Sequence, residues 1–139
     1  MSGTTIYLFW KVNFPATTFG TSSACTFPVS VLHRITGISF LNNYSGNALE
    51  RSFLAEPCYN LVYMELAGCR LTRLPDDLAQ LVPNLRSLNL NYNFLEDVRP
   101  LEGLRRLTKL TVIGSRLKST KALIRILRGM PEVQMLDLR

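Results

Sequence analysis

Leucine spacing constrains this chain more than any other feature. Residues 85–95 read LRSLNLNYNFL, which puts Leu85, Leu88, Leu90, Asn93 and Leu95 at the first, fourth, sixth, ninth and eleventh places of the pattern L-x-x-L-x-L-x-x-N-x-L. Around the fourth and sixth places apolar and polar residues alternate, the mark of a short strand with one buried face. The asparagine amide carries both donors and an acceptor, so it can satisfy backbone groups left unpaired where the chain turns off that strand.

The pattern recurs on both sides. LVYMELAGCRL puts Leu61, Met64, Leu66, Cys69 and Leu71 in the same five places, with cysteine standing for asparagine, and LTKLTVIGSRL does the same with Leu107, Leu110, Val112, Ser115 and Leu117. A further copy opens at Val133 and runs through Leu136 and Leu138. The starts at residues 61, 85, 107 and 133 are 24, 22 and 26 residues apart, within the period of the leucine-rich repeat that this pattern resembles. The resemblance implies an α/β solenoid, with short parallel strands on the concave face and helices, 3-10 turns or loops on the convex face.

The repeat domain is expected over residues 39–139, as about four repeats plus a truncated last one. A degenerate copy is traced at its start, with Tyr44, Asn47 and Leu49 in the sixth, ninth and eleventh places. Residues 1–38 read as a separate, poorly ordered segment. They contain no Asp or Glu and are interrupted by Pro15 and Pro28, and TTIYLFWKVNF favours at most one short strand. The stretch SVLHRITG also resembles a quinone-site motif of the succinate dehydrogenase cytochrome b subunit, but without the membrane helices that follow there it reads as a chance match.

Between repeats the chain offers apolar stripes for the convex side. Phe53 and Leu54 serve residues 50–60, Leu78 and Leu81 follow the helix-start residues Pro75, Asp76 and Asp77, and Val98, Leu101 and Leu104 serve the next connection. The best helix comes last: Ser119 or Thr120 can cap it, Leu123, Ile126 and Leu127 form its inward face, and Gly129 and Pro131 end it.

If the leucines face the core, the residues between them face solvent on the concave side. Tyr63, Ser87, Lys109 and Met135 fall at the third place, Glu65, Asn89, Thr111 and Asp137 at the fifth, and Ala67, Asn91, Ile113 and Arg139 at the seventh. Mixed aromatic, amide and charged groups on rigid strands suit protein recognition. The expected partner-binding residues are Tyr63, Glu65, Asn89, Asn91, Tyr92, Lys109 and Thr111.

Charge adds a second feature. Against Glu102 alone, residues 99–128 hold nine basic side chains: Arg99, Arg105, Arg106, Lys109, Arg116, Lys118, Lys121, Arg125 and Arg128. Such a zone is a solvated surface, a patch for an acidic or phosphorylated partner, or, as an alternative of another class, an RNA-binding surface.

Chemistry is not expected. The one histidine, His33, lies outside the repeats, no Gly-rich phosphate loop occurs, and Cys25, Cys58 and Cys69 form no C-x-x-C pair. No catalytic, cofactor, metal or small-molecule site is anticipated. The free thiols point to a reducing, cytoplasmic compartment, and no apolar run is long enough to cross a membrane.

Beyond the generic repeat, NLNYNFLEDVRPL, IGSRLK and ILRGMPEV resemble the C-terminal repeats of the fungal septation-initiation and mitotic-exit scaffold family of the spindle pole body, which is akin to animal centriolin. The similarity covers about residues 45–139. It implies a scaffold without enzymatic activity, located at the spindle pole body, whose partners are components of a GTPase and kinase cascade. The 22-residue spacing also resembles phosphatase-regulating repeat proteins, which supply an alternative partner.

Overall fold

Each leucine unit becomes one short strand. The structure, a computed structural model, describes residues 4–7, 35–39 and 56–139. Its strands are β1 (Thr4–Tyr7), β2 (Ile35–Ser39), β3 (Tyr63–Glu65), β4 (Ser87–Asn89), β5 (Lys109–Thr111) and β6 (Met135–Asp137), paired in sequence order in one parallel sheet. Equal template places lie opposite one another. Met64 pairs with Leu88, Leu88 with Leu110 and Leu110 with Leu136, and the third and fifth places align in the same way.

Parallel neighbours need a crossover on one side of the sheet, and here its form follows its length. The 24-residue spacing holds the four-residue helix α1 (Leu78–Leu81), the 22-residue spacing only a 3-10 turn at Arg99–Leu101, and the 26-residue spacing the nine-residue helix α2 (Thr120–Arg128). Ser119 caps α2, its Oγ accepting the Ala122 N–H at 3.3 Å. Arg125 and Arg128 lie in the last turn, where positive charge complements the negative end of the helix dipole.

Strand and crossover bury one continuous core. Leu61, Met64, Leu66, Leu85, Leu88, Leu90, Leu107, Leu110 and Val112 come from the sheet side, and Leu78, Leu81, Val98, Leu101, Leu104, Leu123 and Ile126 from the crossovers. Leu74, Val82 and Met130 join them, three contacts that the helical spacing alone did not single out. Cys58 is buried at the base of the first crossover, where its N–H donates to the Leu81 carbonyl at 2.7 Å. Burial, and secondarily the Glu56 charge, push the Cys58 thiol above its ordinary range. Desolvation disfavours the thiolate, and the side chain packs in the core.

The N-terminal end departs from expectation. Gly37, Ile38 and Ser39 pair with Tyr63, Met64 and Glu65, so the sheet runs through the boundary placed between residues 38 and 39. This register assigns Ile35 and Ile38 to the first and fourth places of a copy that opens 26 residues before Leu61, with Phe40 and Asn43 following in sequence at the sixth and ninth. The copy sits four residues earlier than the one traced through Tyr44, Asn47 and Leu49, which lie outside the described residues along with Phe53, Leu54, Cys25 and His33. Isoleucine stands at its first and fourth places, so leucine spacing does not mark this copy. β1 falls within TTIYLFWKVNF and pairs with β2, with an irregularity between Thr4 and Thr5.

Candidate functional site

On the concave face, side chains of adjacent strands bond to one another. Glu65 is the hub: its Oε2 accepts from Ser39 Oγ at 2.9 Å and from Tyr63 OH at 2.9 Å, and its Oε1 accepts from Asn89 Nδ2 at 3.2 Å. The chain of bonds continues across the sheet. Asn89 Oδ1 accepts the Asn91 N–H at 3.0 Å, and Asn91 Oδ1 accepts the Ile113 N–H at 2.8 Å. Tyr63, Glu65, Asn89 and Asn91 are consequently half-buried and held in place, a surface whose side-chain entropy is already spent before any partner arrives. Ser39 belongs to this network, and only the strand register reveals it.

Lys109 stands exposed one strand further on, with no side-chain partner among the described residues. Thr111, expected to face a partner, is only 7% exposed. Its short side chain lies in register between the longer Asn89 and Asp137 and presents little surface. Tyr92 lies just past β4, in a turn with φ of 56° at the edge of the sheet where the strand ends.

That edge has columns of its own. At the eighth place Gly68, Tyr92 and Gly114 all take left-handed backbone, with φ of 66°, 56° and 68°. The turn requires this conformation, and glycine adopts it without steric cost. A Cβ on Gly114 would lie 2.8 Å from Tyr92 Cδ1, so the tyrosine ring rests against a residue that has no room for a side chain. At the tenth place stand Arg70, Phe94 and Arg116, with the Arg116 guanidinium 4.6 Å from the Phe94 ring centroid. Phe94 and Tyr92 are 39% and 66% exposed. The eighth and tenth places, aligned as columns like the strand places, make this edge legible in the sequence.

The ninth place is structural. Asn93 Oδ1 accepts the N–H groups of Cys69 at 3.0 Å and Leu71 at 3.1 Å, while its Nδ2 donates to the carbonyls of Leu66 and Leu90, both at 2.9 Å. One buried amide thus joins two repeats. Ser115, at the same place in the next repeat, is shorter, and its Oγ is buried without a hydrogen-bond partner.

The basic zone does not form one patch. All nine side chains are exposed, but they leave from different faces. Lys109 is on the concave strand, Arg116 on the edge, and Lys121, Arg125 and Arg128 lie at helical spacing on the outer side of α2, opposite Leu123 and Ile126. Two are neutralised: Arg99 pairs with Asp97 at 2.6 Å, and Lys118 pairs with Glu96. The Arg99 backbone N–H, and then its guanidinium, hold the Asp97 carboxyl below the usual range. Arg105 and Arg106 are exposed in the turn that leads into β5.

Among the described residues, no three metal-ligating side chains converge, and no helix is long and apolar enough to cross a membrane. A shallow groove between the 3-10 turn and the start of α2 is bounded by the Arg99–Asp97 and Lys118–Glu96 pairs.

Comparison with known proteins matches these repeats. Residues 59–117 fit the family model described as Leucine rich repeat. The septation initiation network scaffold protein cdc11 of Schizosaccharomyces pombe is 36% identical over 77 residues, a span of 55% of this chain and 7% of that protein. A solved leucine-rich repeat protein of Leptospira interrogans superposes with a TM-score of 0.63 at 26% identity, covering 79% of this chain and 28% of its own. The chain therefore spans only a small part of either relative.

Proposed function

We propose that this chain, a leucine-rich repeat solenoid, is a non-enzymatic protein-interaction module that acts in septation or mitotic-exit signalling at the spindle pole body. The observation that carries the reading is the concave ribbon of Tyr63, Glu65, Asn89 and Asn91, fixed by mutual hydrogen bonds. A pre-ordered polar surface flanked by the free Lys109 suits a folded protein partner, since little side-chain freedom remains to be lost on binding. The likeness to the Schizosaccharomyces pombe scaffold supports the pathway, and partners drawn from a GTPase or kinase cascade are what the family resemblance in the sequence implies.

The test uses the full chain, tagged and expressed in fission yeast, beside a Ser87→Arg, Lys109→Glu double variant. Both changes sit on the concave third column and leave the leucine core untouched. The wild-type chain should recover a septation-network GTPase or kinase and mark the spindle pole body, and the variant should lose the partner while keeping its thermal midpoint. Equal recovery by the variant would remove the concave face from the proposal. Recovery of a phosphatase in place of network components would favour the phosphatase-regulating alternative.

A further inference from the structure

We propose that the edge formed by Arg70, Tyr92, Phe94 and Arg116 is a docking site for an acidic peptide segment of a protein partner. This surface is distinct from the concave columns and does not rest on the reading given to them.

Among the described residues, only Arg70 and Tyr92 are non-glycine residues at positive φ, both at 56°. Neither is Asn or Asp, the types that tolerate this backbone best. At Tyr92 the strain is avoidable, because glycine fills the eighth place of the repeats before and after it. A backbone held in an unfavourable region where a cheaper residue would serve points to work done by the side chain.

The side chains say what that work is. Tyr92 is 66% exposed and its ring is seated on Gly114, which any Cβ would crowd. Phe94, 39% exposed, lies beneath the Arg116 guanidinium at 4.6 Å from the ring centroid. Arg70 and Arg116 are both exposed, and neither has an ion pair among the described residues. The acids nearby are occupied, Glu96 by Lys118 and Asp137 by Arg139. What remains is two unpaired cations on either side of an aromatic pair.

Spacing fixes the ligand. Arg70 and Arg116 occupy the same place two repeats apart, and adjacent parallel strands are about 4.8 Å apart, so their backbones are separated by roughly 10 Å. A peptide in polyproline II conformation advances about 3.1 Å per residue and returns to the same face every third residue, which matches two carboxylates at positions i and i+3. Each carboxylate can take a bidentate guanidinium contact, and the residues between them lie on Tyr92 and Phe94.

The probe is a fluorescein-labelled octapeptide with two glutamates separated by two leucines, read by anisotropy on the full chain, beside its glutamine analogue and a phosphoserine analogue. The glutamate peptide should bind at least tenfold tighter than the glutamine one and weaken as salt rises. Arg116→Gln and Phe94→Ala should each cost about fivefold or more, while Arg125→Gln, on the outer side of α2, changes nothing. Tyr92→Gly should weaken binding at a thermal midpoint equal to or above wild type, because it removes strain and a contact together. Tighter binding of the phosphoserine peptide keeps the site and identifies a modified partner. No binding of any anionic peptide up to about 1 mM overturns the proposal. So do an equal loss on Arg125→Gln, tighter binding of an oligouridine that displaces the peptide, or a Tyr92→Gly chain that is destabilised and still binds.

Discussion

Leu88 and Leu136 occupy the same place of the repeat and pair with the same residue, Leu110, from opposite sides. Leu88 is 1% exposed and Leu136 is 40% exposed. The contrast extends to their neighbours: Leu90 is fully buried, whereas Leu138 at the matching place is 38% exposed. Identical side chains at identical places therefore carry different energies. In a solenoid a leucine is covered by the repeats on both of its sides, so burial belongs to the stack and not to the unit.

The largest effect tests that difference directly. Leu88→Ala should lower unfolding stability by about 2–5 kcal/mol through lost transfer energy and an unfilled cavity, whereas Leu136→Ala should cost less than about 1 kcal/mol because much of the side chain is already in water. Guanidinium titrations of both variants give the comparison, and equal midpoint shifts would break it. Next comes Asn93→Ala, which strands the Cys69 and Leu71 N–H groups together with the Leu66 and Leu90 carbonyls. A loss of about 2–4 kcal/mol is expected, since unpaired buried backbone groups are costly.

A gain sharpens the same point. Ser115→Asn should raise stability by about 0.5–1.5 kcal/mol, because the longer amide reaches toward the preceding repeat as Asn93 does and relieves the orphaned hydroxyl. No change in the melting curve would mean that the repeats are not equivalent at this place.

The smallest effect concerns pH. The Arg139 side chain, hydrogen-bonded to Asp137, lowers the Asp137 pKa, as Arg99 lowers that of Asp97. A depressed folded-state pKa contributes stability above the ordinary carboxylate range near pH 4, and this is lost as pH falls through the lower folded value. Both pairs are solvent-exposed, so Asp97→Asn and Asp137→Asn should each remove only a slight acid-side decline in midpoint below about pH 4. A decline above pH 5 that either change abolished would contradict the assignment.

Much of this architecture was legible in the residues. Leucines at 61, 85 and 107 gave the strand positions and their register, and the crossover stripes Val98, Leu101 and Leu104 and Leu123 and Ile126 were readable from helical spacing. What escaped had physical reasons. Ile35 and Ile38 stand in leucine places of the earliest copy, so leucine spacing does not mark it. Thr111 sat at a solvent-facing place, but the bulk of its in-register neighbours covers it. The left-handed turn at Tyr92 was not legible, because spacing does not report the sign of φ.

The sequence by itself determined the period, the apolar faces of β3 to β6 and the asparagine that bridges two turns of the coil, since these follow from side-chain type at fixed intervals. Only the tertiary structure decided which of those side chains meet. It joined Ser39, Tyr63 and Asn89 on Glu65, set Arg116 over Phe94, scattered nine neighbouring basic residues over several faces, and left Leu136 open to water. Contacts of this kind depend on the lateral alignment of segments far apart in the chain, and that alignment exists only once the repeats have stacked.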